Sequence, residues 1–480
     1  MPPVSIHAST VLYGINEIPA RSLRILVMGK SGAGKSALIN AVFGVEGATA
    51  VSHRTPGKHD INKPLTFPGN DRIVIHDSQG FEGGEGSDGN VQKVLDFIEL
   101  RSKQPALSDQ LHAIWVCAQI PFAGSRMFEI GVERILQRYQ GTLPIIVVFT
   151  KLDILREKEE VRLEKVLQQR DEELEDEEFD AQVDAAVDEG VQELCVKPLQ
   201  ALSLDYRWIA TSTIRQPRFK KTITDLVQLA LEVTNMEKVW IEMAIAQRSS
   251  AKASIEASIR IGRKRYWRGL LSDIFLGFSM RSVLEVLQHD IVNVWNMHDP
   301  ENYLNCPEFL SLVSVLVEDI SDEARNKYPF TEKAVQAIIE HPSSIIIAGP
   351  TAIVVLFAEW VRGTFKQTKS SLRCLTAFII DLTLTMDTLF YLILFRGHPP
   401  ITIRLINQAL RIYQAKKTVV HNSIRTWADG LHTFTHLDVD VVIKKIADII
   451  SENSVNPEQW EMREEDLDEA WMTMDALRDL

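Results

Sequence analysis

The chain has 480 residues, 45% of them apolar, with 52 Lys/Arg against 65 Asp/Glu and a formal net charge of −13. That length suits two or three domains, and the composition excludes the disordered, collagen-like and disulfide-framework classes. The charge lies mostly in two stretches, 157–193 with 16 acidic and 4 basic residues and 452–480 with 10 and 2, so no general basic stripe remains and nucleic acid is excluded as the expected partner.

Residues 1–21 read as an N-terminal extension with neither the apolar run of a signal peptide nor the basic bias of a transit peptide. Cys117, Cys195, Cys306 and Cys374 lie far apart with no C-x-x-C pair. They predict reduced, mostly buried thiols in a cytoplasmic protein.

From 22 to about 235, strands, turns and helices alternate. The strand "LRILVM" (23–28) breaks into Gly29, Lys30, Ser31, Gly32, Ala33, Gly34, Lys35 and Ser36, the pattern G-x-x-x-x-G-K-S. Leu38, Ile39, Val42 and Phe43 follow at helical spacing. Such a loop turns successive N–H groups toward anionic oxygens and ends on a helix N-terminus. Lys35 would reach β- and γ-phosphates and the Ser36 hydroxyl would meet Mg²⁺. Thr55, 19 residues after Ser36, is expected to complete the Mg²⁺ shell, with Ser52 the weaker choice. "LTF" (65–67) reads as a short edge strand and "IVIHD" (73–77) as a buried one. The latter runs into "DSQG", where Asp77 would hold Mg²⁺ through a water and the Gly80 N–H would contact a γ-phosphate. Lys35, Thr55 and Gly80 are therefore the expected catalytic contacts.

Strands are also expected at 112–118, 144–150 and 207–212, mostly as continuous apolar runs of the kind buried on both faces. "TKLD", Thr150 to Asp153, ends the run 144–150, where an open α/β sheet presents its ligand contacts. Asp153 can accept from guanine N1–H and the exocyclic amine, a donor pair adenine lacks, and Lys151 would lie across the base. The acidic stretch 157–193 patterns as inserted helices beside that pocket. It reads as a solvated face, with a regulatory surface as the alternative. "ATST" (210–213) ends the last strand, and backbone at Ser212 and Thr213 could meet guanine O6.

Beyond about 236 the texture becomes helical, with no comparable strand candidates. The run 234–269 contains no Pro, and further helices are expected at 270–295, 307–325, 331–340, 343–362, 371–396, 401–428 and 438–452. The expected organisation is a nucleotide domain over 22–235 with an acidic insert near 157–200, an α-helical domain over 236–452 and an acidic amphipathic tail over 453–480. The uncharged run 343–358 contains Pro350, and 374–395 contains Asp381 and Asp387. Each Asp at a bilayer centre costs roughly 2.5–3.5 kcal/mol. Core helices of a soluble bundle are favoured over a membrane-inserting hairpin. His432 and His436 lack the Glu of a zinc-protease helix and read as surface residues.

Taken in order, Gly29–Ser36, Thr55, Asp77–Gly80, Thr150–Asp153 and Ser212–Thr213 resemble the five signatures of translation-factor-class GTPases. The wording "GKSGAGKS" and "TKLD" is similar to the septin, GIMAP and Toc branches, and the layout resembles G domain-containing proteins of fungi with a helical C-terminal region. The resemblance implies an α/β P-loop NTPase fold, three-layered with a mostly parallel sheet, followed by an all-α domain. It implies GTP/GDP and Mg²⁺ as ligands. The branches named also imply pairing of two copies through the nucleotide face. Phe81 stands where Ras-like proteins carry the glutamine that orients water, which implies slow hydrolysis. The expected function is a GTP-binding switch that engages an effector through its helical domain. Two alternatives stay open: a non-hydrolysing scaffold that keeps GTP as a structural ligand, favoured by Phe81, and a membrane-remodelling GTPase, favoured by 343–395.

Overall fold

A computed structural model describes residues 22–45, 61–67, 69–78, 87–121, 127–214, 216–234, 236–265, 280–317, 320, 369–430 and 439–456. The described residues form two compact units, one running to Ser258 and including Asn293–His298, the other comprising Ile259–Val292 and the chain from Asp299 onward.

The first unit is built on a six-stranded sheet of β1 (Leu23–Met28), β2 (Leu65–Phe67), β3 (Asn70–Asp77), β4 (Ala113–Gln119), β5 (Ile145–Thr150) and β6 (Arg207–Ala210). The order is β2-β3-β1-β4-β5-β6. Four neighbouring pairs are parallel, and only the short β2–β3 edge pair is antiparallel. The mostly parallel sheet follows from strands such as β5, whose six residues "IIVVFT" are all buried. A strand with no polar face needs cover on both sides.

Helices supply that cover. On one side, α2 (Ser87–Ser102), α3 (Ile130–Tyr139), α4 (Leu152–Arg170) and α5 (Asp176–Val191) bury Val94, Phe97, Ile135, Leu155 and Val187 against Ile114, Val116 and Phe149. On the other side, α1 (Lys35–Phe43) stacks Phe43 on Trp115, with ring centroids 5.7 Å apart. The chain then continues through α6 (Lys197–Ala201), α7 (Pro217–Glu232), α8 (Glu237–Ala246) and α9 (Ala251–Arg265).

The Pro-free run 234–269 does not make one long helix. Gln247 breaks it: its Oε1 accepts from the backbone N–H groups of Ser249 and Ser250 at 2.8 and 2.7 Å, taking over donors a continuous helix would bond to carbonyls. The break turns Arg248 into the first unit. Its N–H donates to Val42 O at 2.8 Å, and its guanidinium donates to Gly69 O and Asn296 O, both at 2.6 Å. Asn70 Nδ2 bonds Phe43 O and Ala246 O, and Asn296 Nδ2 bonds Asn70 Oδ1. This buried polar node is why the first unit runs past the expected boundary at 235 and takes in 293–298.

The second unit, among its described residues, is helical: α10 (Met280–Trp295) ends in the first unit, followed by α11 (Pro307–Leu316), α12 (Lys369–Phe395), α13 (Ile403–Asp429) and α14 (Val439–Asn453). The helix expected over 307–325 ends at Leu316. Helices expected at 331–340 and 343–362, His432 and His436, and the tail beyond 456 lie outside the described residues. Helix α12 is long and apolar enough over Ser371–Phe395 to cross a membrane by length and composition, and 83% of its most apolar window is buried in the protein. Asp381 at its middle is fully buried, accepting from Tyr413 Oη at 2.5 Å and from His421 Nε2 at 3.0 Å.

Candidate functional site

The parallel strands β1, β3, β4, β5 and β6 all end on the same edge of the sheet. Strand order reverses at β1, with β3 on one side and β4 on the other, which is where an open α/β sheet leaves a crevice at the strand C-termini. The loop Gly29–Gly34 emerges from β1 at that point, and a cavity of about 330 Å³ opens beside it. Lys30, Ser31 and Ala33 wall one side of the cavity, and Gln119, Phe128 and Val132 the other.

The loop's shape is set by two close approaches. Gly29 has φ +146°, and a Cβ there would lie 2.1 Å from Cys117 O on β4. Gly34, at φ 81°, is the N-cap of α1, so Lys35 and Ser36 begin that helix with their backbone N–H groups facing the loop. Lys35 Nζ donates to Gly29 O and Lys30 O at 2.9 and 3.2 Å, which holds the ammonium over the loop itself. Burial pushes the Cys117 thiol up to about 12, with Lys35 pulling it down and Asp77 pushing it up, so these three groups share one electrostatic neighbourhood. Cys117 is a core thiol.

Asp77 ends β3 in register with Val27 of β1, one strand from the loop. Among the described residues no cluster of three His, Cys, Asp or Glu side chains could hold a metal. The donor set that does reach this edge, one hydroxyl and one carboxylate, suits Mg²⁺, which keeps waters and takes its remaining ligands from phosphates. Thr55 and Gly80, with Ser52, Gln79 and Phe81, lie outside the described residues.

Thr150 ties β5 to the loop: its Oγ1 donates to Ala33 O at 2.7 Å. Lys151 adopts φ 64° and caps α4, and its Nζ donates to Gln119 Oε1 at 2.9 Å. Asp153 sits in the first turn of α4, where the helix dipole favours a carboxylate. Ser212 meets it, Oγ donating to Asp153 Oδ1 at 2.5 Å. The loop after β6 is held in place by Thr211 N–H to Phe149 O at 2.7 Å and by the Thr211–Thr222 hydroxyl pair at 2.9 Å. Thr213 follows in the same loop and is partly exposed.

The described candidates therefore converge: Gly29–Ser36, Asp77, Thr150–Asp153 and Ser212–Thr213 share one sheet edge. Ser212 contributes its side chain to orienting Asp153, where sequence suggested its backbone. Gln119 and Thr222 belong to the site's framework and were not singled out. Gln119 carried one usable signal, as the last residue of a buried strand in a parallel sheet.

The acidic insert is the helical pair α4 and α5, continuing directly from Asp153. Most of its acidic side chains are exposed, as a solvated face would have them, but Arg156, only 8% exposed, is clamped by Glu160 at 2.8 Å, Asp180 at 2.7 Å and Asp184.

Residues 303–465 match a family model described as a domain of unknown function, DUF8505. No curated protein matches the chain. A solved structure described as a probable GTP-binding protein EngB is similar at 16% identity and a TM-score of 0.22, covering 44% of this chain and 98% of that one.

Proposed function

We propose that the first unit binds guanine nucleotide with Mg²⁺ and hydrolyses it slowly, as a switch read out through the helical second unit. The observation that carries this reading is the join of the base-reading and phosphate-holding segments. Ser212 aligns Asp153, two residues after Lys151, and Thr150 is bonded to the phosphate loop at Ala33. A carboxylate held in this way presents two acceptor oxygens in a fixed plane, which matches guanine's adjacent N–H donors and rejects adenine's donor–acceptor edge.

At the other end, Lys35 can exchange its two carbonyl partners for phosphate oxygens, a charge-assisted contact roughly twice as strong as a neutral one. The N–H groups at the start of α1 add the helix dipole. Ser36 and Asp77, with Thr55, are the residues that would hold Mg²⁺, which when bound neutralises charge on the transferring phosphoryl group. Phosphoryl transfer asks the protein mainly for positioning and charge. With Phe81 in place of a water-orienting glutamine, slow turnover follows.

The test is competition of GTP, GDP, ATP and XTP against a fluorescent GDP analogue, with and without Mg²⁺, followed by single-turnover phosphate release. Guanine nucleotides should bind at least a hundredfold tighter than ATP, and phosphate release should be measurable but slow. Equal affinity for ATP would overturn the base assignment. Tight binding with no phosphate release would leave GTP as a structural ligand.

A further inference from the structure

Helix α14 ends on the α12–α13 pair. Asp387 of α12 is 1% exposed. Its Oδ2 accepts the Val455 N–H at 2.7 Å, while its Oδ1 makes no hydrogen bond among the described residues. Lys416 of α13 donates from Nζ to Asn453 O at 3.1 Å, at the helix end where leftover carbonyls and the dipole are negative. A carboxylate and an ammonium from two helices thus fasten two successive points of the chain as it leaves α14. At the other end, Arg263 and Asp440 pair at 2.8 Å, but both are about 60% exposed, and such surface pairs contribute little. Between the two ends, Val442, Ile446, Ile449 and Ile450 are buried.

We propose that α14 is a strap on the α12–α13 pair, fastened at its C-terminal end by Asp387 and Lys416 and released as Asp387 loses its proton. This is independent of nucleotide binding and concerns the region matched by DUF8505.

The direction follows from burial. Desolvation pushes the Asp387 carboxyl up to about 7, against the opposing pull of the Val455 N–H and of Lys416. Burial holds Lys416 below its ordinary value, with Asp387 pushing it back up. Tyr391, one turn further along α12, is pushed up by burial and by Asp387. Among the described residues, Lys416 is the charged group that acts on Asp387, and Tyr391 is the phenol that Asp387 acts on. The residues after α14, Ser454 to Asn456, carry no titratable side chain, and Glu308, the single one on α11, does not act on it.

A docked strap therefore keeps the Asp387 proton to about pH 7, whereas a released one returns the carboxyl to water and to an ordinary value near 4. Proton binding favours docking. Between those limits the opening constant rises by up to about tenfold per pH unit, and it levels off above neutrality. Acid fastens the strap and neutral pH loosens it.

The measurement is hydrogen exchange of the full chain from pH 5.5 to 8.5, corrected for intrinsic exchange, comparing peptides within 439–456 with peptides within 23–43. In wild type, protection of the strap should fall about fivefold between pH 6 and 7 and flatten above 7.5, while the 23–43 peptides stay level. Asp387→Asn keeps an acceptor for Val455 and cannot ionise, so its strap should stay protected with no pH slope. Lys416→Met removes the ammonium and should move the midpoint to higher pH. A flat wild-type profile, an unchanged slope in Asp387→Asn, or a slope shared with 23–43 would overturn the strap. If Asp387→Asn fails to fold, an unmoved midpoint in Lys416→Met does the same.

Discussion

Thr150 Oγ1 donates to Ala33 O at 2.7 Å, joining the end of β5 to the loop after β1 across 117 residues of chain. Thr150 is buried, so this bond works in a low-dielectric setting where a lost partner is costly. Thr150→Val keeps the shape and removes the donor. The expected result is a loss of about 1–3 kcal/mol in stability together with weaker nucleotide binding. Guanine over adenine preference should survive, because Asp153 is untouched. Denaturant melts and competition titrations read the two effects separately.

Gly29 has no room for a side chain. With φ +146° and Cys117 O 2.1 Å from the position a Cβ would take, Gly29→Ala must push β1 away from β4. The expected cost is about 2–4 kcal/mol, with nucleotide binding lost. Gly32→Ala is the control, since nothing lies within 4 Å of its Cβ position. It retains the cost of its own φ of +77° but clashes with nothing. Thermal melts of both variants should rank Gly29→Ala well below Gly32→Ala.

Asp153 and Ser212 should behave as a pair. Asp153→Asn removes one acceptor and offers a donor, so GTP should weaken and xanthosine triphosphate should improve. Ser212→Ala leaves the carboxylate in place without its 2.5 Å partner. A loss of roughly ten- to hundredfold in GTP affinity, the range of a hydrogen bond to a charged group, is expected without any gain for the xanthine nucleotide. The double variant should lose less than the sum of the singles, as contacting residues do.

Lys35→Ala should remove on the order of 2–3 kcal/mol of phosphate contact. Its present partners are carbonyls of the loop, so some loop order should go as well. Calorimetry should show GDP and GTP binding both collapsing, with the circular dichroism spectrum unchanged. Wild-type affinity would mean that this loop holds no phosphate.

His76 predicts a pH effect on stability. It is buried on β3 beside Asp77, its Nδ1 2.7 Å from Ile61 O and its Nε2 2.7 Å from Arg24 Nη1. Burial first, then the Arg24 and Arg101 charges, bring its pKa down to about 4, while the Ile61 bond opposes them. A histidine lowered on folding contributes stability above its ordinary value of 6.5, and that contribution is lost as pH falls toward 4. The full loss is on the order of 2–3 kcal/mol. Urea midpoints should fall between pH 7 and pH 5 in wild type, and less so in His76→Gln.

The nucleotide edge was legible from sequence because its parts are local. Gly29–Ser36 must curl, and a run of eight residues says so. "IIVVFT" must be covered on both faces, which implies a parallel sheet. In such a sheet the segment after each strand arrives at one edge, so "TKLD" and "ATST" could be placed there without coordinates. Which atoms meet was not legible. The Thr150–Ala33 and Ser212–Asp153 bonds join residues far apart in the chain, and nothing in either local pattern names the partner. The break at Gln247 was missed for a related reason. Helical periodicity runs through it, and the competitor is a side chain satisfying two backbone donors, supported by Arg248 reaching carbonyls at Val42, Gly69 and Asn296. In α12 the sequence by itself determined a long apolar helix with two carboxylates. Only tertiary structure decided that Asp381 meets Tyr413 and His421 while Asp387 meets Val455, because a buried charge takes its character from whatever the fold brings within hydrogen-bonding reach.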